Sequence, residues 1–139
     1  MIQDFPFTGV GMGSFMEVAD ALYPFFHYAP ESIHHAHNLF LQIAVDLGIP
    51  GLVAWLVLLL TVLALAVQLY RSGGVKTENG FRRERIASGL GAGVLCSQMA
   101  LIVHGMTDAV TWGMVRPAPL VFGIWGLTVA GWYIYTRGR

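Results

Sequence analysis

The chain of 139 residues is 55% hydrophobic and 12% charged, and its eight acidic and eight basic side chains cancel. A neutral sum gives no electrostatic footprint for nucleic acid, and a single cysteine, Cys96, excludes an intramolecular disulfide framework and argues against a cysteine zinc site. Three intervals, Leu47–Tyr70, Ile86–Thr107 and Pro117–Thr136, contain no Asp, Glu, Lys or Arg. Each is near or above the roughly 20 apolar residues that cross a bilayer core.

The first segment, "MIQDFPFTGV", has neither a basic start nor an apolar run, so it is not a secretory signal. Insertion then falls to the first spanning helix, or the sequence is the tail of a longer one. "GVGMGS" (Gly9–Ser14) is glycine-rich, yet Ser14 stands where a dinucleotide loop has its third glycine, and no strand–helix context surrounds it. A tight-turning loop is the simpler reading, although its backbone N–H groups would also suit a phosphate. Pro24 and Pro30 bracket "FFHYA" and predict an irregular aromatic loop.

From Ala36 to Leu47 the apolar pattern fits a short interfacial helix, interrupted at Gly48 and Pro50. Pro50 suits the first turn of the span that follows. The predicted layout is a loop and interfacial helix over 1–47, a span over 48–70, a basic loop over 71–85, a second span over 86–107, a connection over 108–116, a third span over 117–136 and a tail at 137–139. The fold class is all-α, a polytopic membrane protein. The loop at 71–85 carries Arg71, Lys76, Arg82, Arg83 and Arg85, and the tail carries Arg137 and Arg139. The excess of Lys and Arg places both in the cytoplasm and puts 1–47 and 108–116 on the outer side. "GLGAG" (Gly89–Gly93) has the small-xxx-small spacing of close helix packing.

The chemistry-bearing residues then gather at the outer face. His34, His35 and His37 fall within four positions, directly before the interfacial helix. On a helix His34 and His37 would share a face with Glu31 one turn earlier, the spacing of a metal site, but no HExxH pattern is present. A neutral imidazole is equally suited to take a proton from a hydroxyl near neutral pH. A polar interfacial turn without chemistry is the third reading, and the residues alone leave all three open. Asn38 either caps the helix or orients a substrate hydroxyl. His104 and Asp108 lie one turn apart at the outer end of the second span, where they either satisfy each other or face a polar cavity. Arg116 is the one basic residue of the short outer connection, placed to bind a phosphate or carboxylate or to anchor at headgroups.

"PFTGVGMGSF" (Pro6–Phe15), followed by "HAHNLFLQIAVDLGIPGLVAWLVLL", resembles the C-terminal part of the O-antigen ligase and polymerase superfamily. His37-Asn38, nine intervening residues and Gly48 match the His-Asn/Ser/Gln-x9-Gly pattern of lipid A-core O-antigen ligases and related O-linked oligosaccharyltransferases. "HGMTDAVTW" and "RPAPLVFGIWGL" are similar to the segment before the last spans of such proteins.

The resemblance implies a glycosyltransferase of the bacterial inner membrane with its catalytic loop in the periplasm. It would move a glycan from undecaprenyl diphosphate to an acceptor hydroxyl on a lipid A-core sugar, another glycan or a protein. His37 would be the catalytic base, and the motif glycines would be Gly9, Gly11, Gly13 and Gly48. His34, Asn38, Asp108 and Arg116 are candidates for substrate contact. The family is regarded as metal-independent, so no metal or other cofactor is expected, and His35 becomes a neighbour of the base. Partners are the lipid-linked donor, the acceptor and membrane lipids, with no nucleic acid. Family members have about ten to twelve spans and phosphate-binding arginines upstream of the glycine stretch, so this three-span chain resembles a C-terminal fragment that would be catalytically incomplete alone. An O-antigen or exopolysaccharide polymerase is the alternative within the superfamily. A solute transporter subunit, with His104 and Asp108 along a polar path, is the alternative from a different class.

Overall fold

The structure, a computed structural model, describes residues 1–23, 35–72, 81–109, 111–112 and 118–137. Among them it contains four helices and no strand: α1 (Phe15–Leu22), α2 (Leu39–Ser72), α3 (Phe81–Gly105) and α4 (Ala118–Arg137). The fold is all-α, and α2, α3 and α4 are each long and apolar enough to cross a membrane. They expose large apolar side chains, including Val57, Leu58 and Leu60 on α2, Ile86, Met99 and Val103 on α3, and Leu120, Leu127 and Ile134 on α4. Such a surface would be a liability in water and is stable against lipid tails.

Two compact units emerge, the first formed by Met1–Leu56 with Val103–Ala118 and the second by Val57–Ile102 with Pro119–Arg139. In the first, the loop of residues 1–14 leads into α1, whose first turn carries Glu17 where the helix dipole favours an acid. This helix lies inside a segment expected to be loop, and none of its residues is buried. The Tyr23 hydroxyl donates to the Asp4 carboxylate and ties the end of α1 to the first turn. That bond holds the Asp4 carboxyl below its ordinary range. Leu39, Ile43, Ala44, Val45, Trp55, Ala109 and Trp112 form the apolar interior of this unit.

The second unit is a bundle of α2, α3 and α4 segments held by small residues and tryptophan–glutamine pairs. Gly91 of α3 lies against the α2 backbone, where an added Cβ would stand 2.4 Å from the Tyr70 nitrogen and 2.6 Å from the Ala66 carbonyl oxygen. The expected pair Gly89 and Gly93 faces open space instead, so the residue midway between them carries the close packing. Ser88 Oγ donates to the Tyr70 carbonyl at 2.9 Å. Trp125 donates its indole N–H to Gln98 at 2.9 Å, and Trp132 donates to Gln68 at 2.8 Å. Each pair gives a buried or lipid-side amide a partner, which a helix in hydrocarbon requires. α3 begins at Phe81, so the last turn of the expected basic loop is already helical.

Candidate functional site

The site is built around a break in α2. Gly48 takes φ 71° and ψ −179° and leaves the helical conformation for one residue. In an unbroken helix the Val45 carbonyl would receive the N–H of Ile49, and the Asp46 carbonyl that of residue 50. Residue 50 is proline and has no N–H to give. Ile49 turns its N–H outward to the Pro6 carbonyl at 2.7 Å. Both orphaned carbonyls are filled from the glycine loop, Val45 by the Val10 N–H at 2.8 Å and Asp46 by the Gly11 N–H at 3.0 Å.

This exchange requires backbone against backbone at two points. A Cβ on Gly9 would stand 2.4 Å from the carbonyl carbon and oxygen of Asp46, and one on Gly48 would stand 2.7 Å from those of Phe7. Both residues also have positive φ, 62° and 71°, a conformation that L side chains adopt at a cost. The glycine loop and the glycine of the His-Asn-x9-Gly motif are therefore two halves of one joint. Gly11 and Gly13 share the positive φ of the loop.

Below the joint runs a buried polar chain. The Ala36 N–H donates to Gln42 Oε1 at 2.7 Å. Gln42 Nε2 donates to Asp46 Oδ1 at 2.8 Å, and Trp112 Nε1 donates to Asp46 Oδ2 at 2.9 Å. Gln42 and Asp46 are both buried and four residues apart, on one face of the helix. Asp46 thus joins four segments: the glycine loop through its carbonyl, the histidine loop through Gln42, the stretch at Trp112 through its indole, and α2 itself. The structure buries Asp46 on hydrogen-bond donors.

Asn38 caps α2, its Oδ1 accepting the Leu41 N–H at 3.0 Å. Its Nδ2 donates to the Met106 carbonyl at 3.1 Å, which fastens the helix start to the end of α3. Gly105 lets the two helices meet there, since a Cβ on it would lie 2.9 Å from Leu39 Cβ. Both polar ends of Asn38 are engaged in holding the backbone.

His37 is exposed and is the one described non-glycine residue with positive φ, at 48°. Strained backbone of this kind persists where its surroundings over-determine it, and it clusters at functional sites. The surroundings are visible: Ala36 is tied to Gln42, Asn38 is tied at both ends, and the His37 N–H donates to His35 Nδ1 at 3.2 Å. The His35 and His37 rings lie 4.3 Å apart at 59°. His35 Nε2 faces Asp108 Oδ1 at 3.6 Å. Of the two readings left open for His104 and Asp108, the mutual pair is not formed: Asp108 turns to His35, His104 is exposed, and Asp108 Oδ1 also accepts the Ala109 N–H at 2.7 Å.

One ligand atom from each of His35, His37 and Asp108 lies within 4.8 Å of the others. Because His35 Nδ1 accepts a backbone N–H, its neutral ring carries the proton on Nε2, and neither nitrogen then offers a free lone pair to a cation. His34 and Arg116, also proposed from the sequence, lie outside the described residues. Gln42 and Trp112 are the additions the sequence reading missed, and His35, read there as a neighbour of the base, gains a partner in Asp108. The Gln42–Asp46 spacing was a local signal for two of the network's groups, whereas Trp112 reaches Asp46 only through the tertiary fold.

No curated protein and no solved structure gives a significant match to the chain. Residues 1–56 match the family model described as O-antigen ligase. The matched stretch contains the glycine loop, His37-Asn38 and the Gly48 break, and it ends where the α2 part of the first unit ends. The match supports the O-antigen ligase family for the segment that builds this site.

Proposed function

We propose that the chain is the C-terminal part of an O-antigen ligase-like glycosyltransferase that moves a glycan from undecaprenyl diphosphate to an acceptor hydroxyl, with His37 as the base. The exposed ring of His37 takes the acceptor proton. The acceptor oxygen then bonds to the anomeric carbon of the donor sugar, whose bond to the diphosphate oxygen breaks, and the diphosphate leaves with the electron pair. The reaction runs on the periplasmic face of the bacterial inner membrane, the side that the Lys/Arg distribution assigns to residues 1–47.

The observation that carries this reading is the strained, exposed His37 held on a scaffold made by the same glycines that complete its motif. A base on a loop is useful only when rigid elements fix it. Lipid A-core sugar, another glycan chain and a protein hydroxyl all present the same nucleophile, so ligase and polymerase chemistry share this step. The test is transfer from an undecaprenyl-diphosphate-linked glycan in membranes carrying the protein with its native upstream sequence. His37→Ala should abolish transfer at unchanged protein level, and transfer at the wild-type rate would exclude the base role.

A further inference from the structure

We propose that His35, oriented by Asp108, is a positioning residue that locks the His37 backbone into its catalytic conformation; the inference rests on the base role of His37. The sequence treats His35 as a bystander, but the structure gives each of its ring nitrogens a task. Nδ1 accepts the N–H of His37, two residues on, in the pattern by which Asx side chains stabilise turns. That acceptor role fixes the neutral tautomer with the proton on Nε2, the nitrogen that faces Asp108 Oδ1 at 3.6 Å. Asp108 in turn is braced by the N–H of Ala109 at 2.7 Å.

The pair therefore acts on His37 through its backbone. A histidine at φ 48° relaxes toward negative φ unless something holds it. Relaxation swings Cβ, and with it the imidazole, away from the place where it meets a hydroxyl. His35 supplies the hold from the N-terminal side and Asn38 from the C-terminal side. The tilted contact of the two rings at 4.3 Å limits the His37 side chain further.

Two substitutions separate the contacts, because the Asn side chain places an acceptor near the Nδ1 position and the Gln side chain places a donor near Nε2. His35→Asn keeps the acceptor for the His37 N–H and loses the contact with Asp108. His35→Gln does the reverse, and His35→Ala loses both. In transfer assays on the full protein, His35→Ala and His35→Gln should each lower kcat by about tenfold with KM for the acceptor unchanged. His35→Asn should recover most of the wild-type kcat. A general destabilisation would lower protein level or thermal stability in all three and would not be rescued by Asn.

If His37→Ala abolishes transfer while His35→Ala keeps the wild-type kcat, the positioning role is wrong and the base role stands. If His37→Ala is itself active, the base role has failed first. Loss of wild-type activity to a chelator, restored by zinc, would make His35, His37 and Asp108 a metal site and overturn the assignment.

Discussion

Gly11 donates its backbone N–H to the Asp46 carbonyl at 3.0 Å, the carbonyl that Pro50 cannot serve. A helix break and a distant glycine loop thereby complete one another's hydrogen bonding. Gly9→Ala or Gly48→Ala would drive a methyl into facing backbone at 2.4 or 2.7 Å. We expect each to cost about 3 kcal/mol or more, the sum of a backbone overlap and an unfavourable φ. Limited proteolysis within residues 5–13 should accelerate in both variants, and unchanged cleavage would show that the joint is not needed. Pro50→Ala restores an N–H that competes with Gly11, so amide exchange at Gly11 should quicken while α2 stays helical.

The Asp46 carboxylate is satisfied by two side-chain donors, Gln42 and Trp112. Trp112→Phe removes one and should cost about 1–3 kcal/mol. Asp46→Ala strands both buried donors and should cost more than either Gln42→Ala or Trp112→Phe alone. Thermal unfolding in detergent checks the order. Additive single-site losses in a Gln42→Ala/Trp112→Phe double mutant would mean that the two bonds are independent rather than joined through Asp46.

Asn38 divides its amide between a helix cap and a tie to Met106. Asn38→Ala should lower stability by about 1 kcal/mol through the cap alone, with a further loss for the Met106 tie. Asn38→Asp keeps the cap acceptor and sets a carboxylate against the Met106 carbonyl. It should therefore hold the α2 start but lower transfer, read as normal helicity with reduced kcat.

In the second unit, Gly91→Ala places its methyl 2.4 Å from the Tyr70 nitrogen and should destabilise the bundle. Gly89→Ala meets open space and should stabilise α3 by about 0.5–1 kcal/mol, the helix preference for alanine over glycine. Opposite signs from two substitutions of the same chemistry on one helix would confirm which glycine makes the contact. Equal effects would refute it.

The three membrane-capable helices were legible because charge-free apolar length is a one-dimensional property. The break at Gly48 was legible too, since glycine and proline two residues apart interrupt any helix. What the break does was not. Its carbonyls are filled from residues 10 and 11, a contact distant along the chain. α1 was missed because "FMEVADAL" is short, exposed and flanked by turn residues that masked its helical spacing. The small-xxx-small spacing at Gly89 and Gly93 identified the right helix and the wrong face, because spacing does not say which side meets a neighbour. At the site, His37 was singled out by motif spacing alone. His35 lost its role for want of any local signal that Asp108 lies beside it.

The base role of His37 is tested most directly by His37→Gly in the full protein, assayed for glycan transfer and for thermal stability together. Glycine accepts φ 48° without strain, so the fold should be as stable as the wild type or slightly more so. Transfer from the undecaprenyl-diphosphate-linked donor should nonetheless be lost. A His37→Gly protein that folds normally and transfers glycan at the wild-type rate would contradict the account.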